Sequence, residues 1–150
     1  MGYLRKSNLS DLHHVCISLR IADQVEAYYQ TGYTASEAVR LTYLAADRNL
    51  AIAGDNDQPM GLCGVLKDGI IWMVATDELM SKRSYRIQLI REGRKWVDSL
   101  LKTYEVLYNY VYAENTSAIK WLKALGFTFI NLHPKYGHLN KPFYEFVRIA

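Results

Sequence analysis

The stretch that decides the fold runs from Asn115 to Phe127 and reads N-T-S-A-I-K-W-L-K-A-L-G-F. It follows the apolar run Val106 to Ala113, which is typical of a β-strand. Asn115 stands where its side chain can accept from the free N–H groups of a first helical turn, and Gly126 suits the left-handed residue that ends a helix. Apolar residues recur between them at helical spacing: Ile119, Leu122 and Leu125. The stretch therefore predicts a strand, a turn at Asn115, a short helix and a second strand.

Composition predicts one domain that comprises all 150 residues, because half of them are hydrophobic and no compositional break divides the chain. The sequence shows neither a signal pattern nor an apolar run long enough to cross a bilayer. We therefore expect a cytoplasmic protein with no membrane association. Cys16 and Cys63 lack metal-ligand spacing and lie among apolar neighbours, so we expect buried, reduced thiols.

The net charge of +3 is mild, but the charge is unevenly distributed. Between Lys82 and Lys102 there are seven basic residues and two acidic ones. This local excess can meet phosphate groups, or it can be the solvated face of a helix. Binding of nucleic acid is the third of three hypotheses, because the sequence contains no recognised nucleic-acid-binding motif.

Apolar periodicity and turn residues predict the order β-α-α-β-β-β-α-β-α-β-β. The predicted strands cover residues 3–6, 50–54, 60–66, 70–76, 106–112, 128–132 and 143–149. The first helix is expected from Ser10 to near Gly32, and the second begins at a Thr34-Glu37 capping box. The longest helix is expected to start at Ser81. Asp68-Gly69 predicts a hairpin, and residues 133–142 are predicted to form a loop.

This order, with the Asn115–Phe127 stretch embedded in it, resembles the GNAT superfamily of N-acetyltransferases over essentially the whole chain. The resemblance implies an α+β fold (an α/β/α sandwich) in which helices flank a mixed, mostly antiparallel sheet. Three runs also look similar to small GNAT-like proteins of short-tailed bacteriophages, some of them counted among internal virion proteins: I-W-M-V-A-T-D, L-Y-N-Y-V and N-T-S-A-I-K-W-L-K-A-L-G. That likeness implies an infected bacterial cytoplasm or a virion, with a bacterial host protein as a partner.

The GNAT resemblance implies acetyl-CoA as the co-substrate. In the family, the strand at residues 70–76 lies along the pantetheine arm and splays from the strand at residues 106–112, which leaves a V-shaped slot. By position, the backbones of Met73, Val74 and Ala75 bind the amides of the arm, and Asn115 contacts it. An open strand edge suits an amide-rich ligand, although an ordinary core strand has the same sequence pattern.

Two positions depart from the family pattern. The loop at residues 77–86 contains no glycine, whereas the family cradles the pyrophosphate in a glycine-rich loop at a helix N-terminus. Lys82, Arg83 and Arg86 stand there instead, either to bind phosphates through their side chains or as exposed residues. Leu122 occupies the position at which the family often has a Tyr that protonates the leaving thiolate, and Leu has no proton to donate.

The sequence assigns no catalytic residue but offers candidates for a general base. His13 and His14 are candidates because an imidazole can act as a general base, and Glu78 can accept a proton from an acceptor ammonium. The alternative roles are surface exposure for the histidines and helix capping for Glu78. No metal site is predicted, because His133 and His138 lack partners at metal-ligand spacing.

Two hypotheses rank ahead of nucleic-acid binding. The first is an acetyl-CoA-dependent N-acyltransferase that transfers an acetyl group directly to an amine of a protein or small molecule. The alternative is a catalytically degenerate GNAT-fold phage protein that binds and modulates a bacterial host protein, with coenzyme A binding retained or lost.

Overall fold

The computed structural model describes residues 3–150; residues 1–2 of the predicted domain lie outside the described part. Its strands are β1 Tyr3–Arg5, β2 Arg48–Ala53, β3 Pro59–Val65, β4 Ile71–Ala75, β5 Val106–Tyr112, β6 Thr128–Tyr136 and β7 Lys141–Ile149. Its α-helices are α1 Leu9–Ile17, α2 Ile21–Thr31, α3 Ala35–Ala45, α4 Arg83–Leu100 and α5 Thr116–Ala124. A 3₁₀ turn at Asp77–Met80 precedes α4.

The strands form two antiparallel sheets that meet at one point. The first has the order β1-β2-β3-β4 and the second the order β5-β7-β6. They join where the Tyr108 N–H donates to the Gly69 carbonyl at 3.0 Å and Ile70 forms an isolated parallel bridge with Tyr108. Beyond this junction β4 and β5 belong to different sheets. The α+β architecture predicted from the sequence is therefore confirmed.

Gly69 is the tightest position of the junction and lies in the predicted Asp68-Gly69 turn. Its φ is +91°, and a Cβ at this position would lie 2.2 Å from the Val106 carbonyl oxygen. Glycine adopts such a φ without steric cost. The close approach of the two sheets therefore depends on a residue that has no side chain.

Helices cover both faces of the β1–β4 sheet. On one face, α1 and α3 bury an apolar cluster that includes Val15, Val39 and Leu62. On the other face, α4 and α5 pack against β4 and the second sheet, with Val97, Leu100 and Phe146 in the cluster. These two helical layers, α1–α3 and α4–α5, enclose the ends of β4 and β5.

The first predicted helix is wrong in two respects. It is divided into α1 and α2, and α1 is capped by Asn8, whose side chain accepts from the Asp11 N–H, rather than by Ser10. The interruption has a tertiary cause: Leu19 bridges to Thr76, and the Arg20 N–H donates to the Ala75 carbonyl at 2.9 Å. Between α1 and α2, hydrogen bonds to the end of β4 therefore replace the intrahelical hydrogen bonds of a continuous helix.

The loop predicted at residues 133–142 is also wrong, because β6 continues to Tyr136 and β7 already begins at Lys141. Pro134 lies in β6, an edge strand whose register shifts between His133 and Tyr136. Edge strands and bulges tolerate proline. The tip of this hairpin packs on the end of α2, where the His138 N–H donates to the Gln30 carbonyl at 3.1 Å.

Cys16 and Cys63 are buried and unpaired. Burial raises the pKa of the Cys63 thiol to about 12, so this thiol stays protonated at neutral pH. Within residues 3–150, no helix is both long enough and apolar enough to cross a bilayer.

Candidate functional site

A cavity of about 280 Å³ lies between β4 and β5, and we call it the slot cavity. Its walls come from α2 and α3 on one side and from α4 and α5 on the other. Trp72, Met73 and Val74 line it and are only partly buried. The middle of β4 therefore borders a cavity and differs from an ordinary core strand, which is buried on both faces.

Beside this cavity, one residue of β4 has a free backbone edge. Leu66 donates to Ile70 and Thr76 donates to Met60, both across to the β3 side. By antiparallel alternation, the N–H and C=O of Val74 face β3, whereas those of Met73 and Ala75 face away from it. The Met73 N–H and C=O have no hydrogen-bond partner within residues 3–150. Met73 therefore offers one donor and one acceptor toward β5.

The backbone N–H and carbonyl of Ala75 are already hydrogen-bonded to residues at the start of α2. The Asp23 carboxylate accepts from the Ala75 N–H at 2.9 Å, and the Arg20 N–H donates to the Ala75 carbonyl at 2.9 Å. One helical turn later, the Glu26 carboxylate accepts from the Tyr112 N–H at the end of β5 at 2.8 Å. Two carboxylates three residues apart on α2 thus bind one strand each.

A buried ion pair anchors this corner. An Arg20 Nη lies 2.9 Å from the Asp23 carboxylate, and both side chains are less than a tenth exposed. The other Arg20 Nη donates to Ser117 Oγ at 2.8 Å, and the guanidinium lies 4.7 Å from the centre of the Trp121 ring. Arg20, the N-cap residue of α2, therefore links this end of α2 to α5.

Glu26 lines the slot cavity, and the pKa of its carboxyl group is well above the ordinary value. Burial raises its pKa to about 7, while hydrogen bonds from the Tyr112 N–H and the Asn115 side chain oppose the increase. The Asn115 Nδ2 donates to Glu26 at 3.1 Å. A carboxylate with a pKa near neutrality exchanges protons readily at physiological pH.

The predicted capping role of Asn115 is wrong. Asn115 occupies the N-cap position of α5, but its side chain makes no capping hydrogen bond. It is buried and turns toward Glu26. Glu26 is half-buried, and a carboxylate shielded from water needs hydrogen-bond donors, so the Asn115 amide donates to Glu26 instead of capping α5.

The three predicted phosphate ligands lie together at the N-terminus of α4. Lys82 is its N-cap residue and forms an ion pair with Asp55 at 3.1 Å. Arg86 donates to the Met80 carbonyl at 2.7 Å. Arg83 is exposed, and its side chain makes no hydrogen bond or ion pair within the described residues. Of the three, Arg83 alone is uncommitted in this part of the chain.

The three sequence candidates for a general base lie outside the slot cavity. His14 and Glu78 line one surface depression with Thr76 and Asp77. His13 is exposed elsewhere, with Nδ1 3.5 Å from the Arg40 guanidinium. Leu122, in contrast, does line the slot cavity. Within residues 3–150, no group of three His, Cys, Asp or Glu side chains could hold a metal ion.

Sequence reasoning missed Arg20, Asp23 and Glu26. They recur every three residues, as does a polar stripe on a solvated helix face, so periodicity alone does not reveal their inward orientation. Their inward orientation becomes apparent only in the folded structure, where α2 packs against the ends of β4 and β5.

Comparison with known proteins identifies relatives in sequence and in structure. The profile of the family described as "Bacteriophage T7, probable scaffold protein Gp13" matches residues 51–134. The probable scaffold protein gp13 of Escherichia phage T7 is 40% identical over 63 residues, which is 39% of this chain and 43% of the relative. This match therefore spans less than half of the length of that relative.

The similar solved structures are acetyltransferases. A spermidine N-acetyltransferase from Vibrio cholerae, solved with CoA and spermine, has a TM-score of 0.71 at 14% identity, covering 99% of this chain and 95% of the other. A GNAT-family acetyltransferase from Bacillus anthracis has a TM-score of 0.69 at 12% identity, covering 99% and 94%. At such identities the likeness establishes the fold, and it confirms the predicted GNAT fold.

Proposed function

Because the chain belongs to the family of the bacteriophage T7 probable scaffold protein Gp13 and has the GNAT fold, we propose that it is an acetyl-CoA-dependent N-acyltransferase. The observation that carries the proposal is the convergence of two groups on the slot cavity, the open backbone edge of Met73 and the Glu26 carboxylate, which accepts a hydrogen bond from the Asn115 amide. The place of action proposed with it is the infected bacterial cytoplasm or the virion.

Met73 supplies the contact expected for a pantetheine amide, because its N–H and C=O are free to complete a ladder. Val74 directs its backbone toward β3, and Ala75 is held by Asp23 and Arg20, so neither shares this capacity in the described arrangement. The phosphates are assigned to Arg83 and the first N–H groups of α4. Lys82 forms an exposed and therefore weak ion pair with Asp55. Once this ion pair breaks, Lys82 also binds the phosphates.

Glu26 is assigned the role of the proton acceptor. A bound thioester supplies an acyl carbon activated toward nucleophiles, but only a neutral amine attacks it. Glu26 takes one proton from the acceptor ammonium, after which the amine nitrogen bonds to the acyl carbon and the C–S bond breaks. The acylated nitrogen releases its second proton to water, the sulfur departs as a thiolate, and the thiolate takes its proton from water because Leu122 cannot donate one.

The test is the release of free thiol from acetyl-CoA in the presence of an amine panel. We expect turnover by the wild-type protein and a decrease in kcat of about 100-fold or more in Glu26→Gln, with the affinity for acetyl-CoA within about twofold. Glu37→Gln, at an exposed position on α3, is the matched control. Turnover by Glu26→Gln at the wild-type rate would contradict the role of Glu26.

A second candidate function is a GNAT-fold protein that binds a bacterial host protein without catalysis. This function is favoured because three of the predicted cofactor-binding residues already have partners within the protein. Ala75 is hydrogen-bonded to Asp23 of α2, Lys82 forms an ion pair with Asp55, and Arg86 donates to the Met80 carbonyl. Calorimetric titration with acetyl-CoA and CoA separates the two functions. Absence of binding at millimolar ligand excludes the acyltransferase and supports the second candidate, whereas binding together with turnover on any amine excludes the second.

A further inference from the structure

Positive and negative charges are separated along this chain. The segment from Lys82 to Gly126, which contains α4, β5 and α5, has nine Lys or Arg residues and four Asp or Glu residues. The rest of the chain has nine basic and eleven acidic residues. The segment therefore has an excess of five positive charges, and the remainder an excess of two negative ones. The net charge of +3 conceals this separation, and such a local excess attracts polyanions.

Most of this positive charge lies on the outer surface of the α4–α5 layer, which we call the basic face. The two helices pack closely, because a Cβ at Gly93 of α4 would lie 2.8 Å from the Leu125 side chain. The Arg94 Nε also donates to the Ala124 carbonyl of α5 at 2.7 Å. Their outer surfaces are therefore continuous. The exposed basic residues of the face are Arg91, Arg94, Lys95, Lys102, Lys120 and Lys123.

Little negative charge compensates the basic face. Asp98 is already paired with Arg148 at 2.8 Å, and the Glu92 side chain is only 29% exposed and lies 3.9 Å from Lys95. The side chains of Lys102 and Lys120 form neither a hydrogen bond nor an ion pair with any residue from 3 to 150. Alternating signs are typical of a helix face that only contacts solvent. Here one sign prevails, so these cations remain available to an external anion.

The shape and composition of the basic face indicate the kind of polyanion. The 18 residues of α4 give a length of about 27 Å, which equals about eight base pairs of duplex at about 3.4 Å each. An extended row of cations suits the regular charges of a phosphate backbone. The exposed positions of α4 and α5 include no aromatic side chain, whereas proteins that bind single strands stack the bases on aromatic rings. A duplex therefore fits better than a single strand.

We propose that the basic face binds the phosphate backbone of double-stranded DNA without regard to sequence. The sequence contains no recognised nucleic-acid-binding motif, but contacts to the backbone alone require none. The six basic residues of the face do not line the slot cavity. This binding is therefore independent of the proposed acyl transfer, and the two can be tested separately.

The first test is fluorescence anisotropy of a labelled DNA duplex of about 20 base pairs, titrated with the whole chain at about 50 to 200 mM salt. We expect a Kd of about 1–100 μM at physiological salt, and a slope of log K against log salt between about −3 and −5. A duplex of unrelated sequence should bind within about twofold. Absence of binding at the lowest salt overturns the proposal. Equally tight binding of poly-glutamate also overturns it and indicates an acidic protein as the partner.

Two triple variants with the same net charge test the location of the DNA site. The first removes three exposed charges from the basic face: Arg91→Gln, Lys95→Gln and Lys102→Gln. The control removes three exposed charges elsewhere: Lys6→Gln, Lys67→Gln and Lys135→Gln. We expect the first to weaken duplex binding about tenfold or more and to make the salt slope less negative by about 2.7, or about 0.9 for each lost contact. The control should stay within about threefold of wild type, because it leaves the phosphate contacts intact. A thermal melt verifies that both variants are folded, and equal losses in the two would contradict a site on the basic face.

Discussion

The α4–α5 layer and the α1–α3 layer present different walls to the slot cavity. The α4–α5 layer is apolar there, with side chains such as Leu89, Trp96 and Leu122. The α1–α3 layer adds carboxylates that bind the ends of β4 and β5, together with a buried ion pair. The difference indicates a structural division: α4 and α5 give the slot cavity its apolar wall, whereas α2 gives it its charged side chains.

The largest expected change in the free energy of unfolding comes from the buried ion pair of the α1–α3 layer. Arg20→Met should lower the free energy of unfolding by about 3–5 kcal/mol, because it leaves Asp23 buried without its cation. Lys95→Met is the control, since Lys95 lies 3.9 Å from Glu92 and is largely exposed, and it should cost less than about 1 kcal/mol. Urea denaturation measures both values. Equal effects would show that the α1–α2 corner is not a rigid part of the fold.

On the apolar side, Leu100→Ala should cost about 3 kcal/mol, because it removes a fully buried side chain and leaves a cavity. Leu41→Ala, at an exposed position of α3, should change the free energy of unfolding by less than about 0.5 kcal/mol. The same denaturation experiment compares them. A small effect of Leu100→Ala would contradict the placement of this side chain in a tightly packed apolar cluster.

The junction of the two sheets gives the next effect. Gly69→Ala should destabilise by about 2 kcal/mol or more, because a positive φ is combined with a Cβ 2.2 Å from the Val106 carbonyl oxygen. Gly126→Ala has a similar φ of +90°, but its nearest contact is the end of the Arg148 side chain at 3.2 Å, so it should cost about 1 kcal/mol. Similar melting temperatures for the two variants would contradict the tight junction.

The sequence predicts the α4–α5 half better than the α1–α3 half. The strand, short helix and strand around Asn115 depend on local apolar periodicity and turn residues, and the family match at residues 51–134 covers the same region. The break at Leu19 and Arg20 arises from hydrogen bonds to β4, which lies more than fifty residues away. No local pattern records such a contact, so both the break and the inward face of α2 depend on the tertiary fold.

The site follows the same division. The resemblance to the GNAT superfamily implies Met73, Val74 and Ala75 as backbone ligands from their position in the strand, and in the structure Met73 alone of the three has a free backbone edge. Glu26 could not be placed, because an acidic residue in an amphipathic helix is usually solvated. Asn115 was placed in the right element but given the wrong partner, since its side chain serves Glu26 rather than α5.

The smallest expected effect is the pH dependence that Glu26 confers on stability. Its pKa is about 7 in the folded chain and near 4.3 when unfolded. Between these values the folded protein holds a proton that the unfolded chain has lost, so Glu26 lowers stability as the pH rises through this window. The stability of Glu26→Gln relative to wild type should therefore grow by about 1–2 kcal/mol from about pH 5 to pH 7 and then level off. A pH-independent difference would contradict the raised pKa.

The most direct test of the central claim, that the open edge of Met73 receives the thioester arm, is an NMR titration of protein labelled with ¹⁵N-methionine. Met73→Leu identifies the Met73 amide, and Met60, which is fully buried in β3, serves as the internal reference. Acetyl-CoA should shift the Met73 amide in a saturable manner and leave the Met60 amide nearly unchanged. Binding of acetyl-CoA with no shift at Met73, or no shift of any methionine amide at millimolar ligand, would contradict the claim.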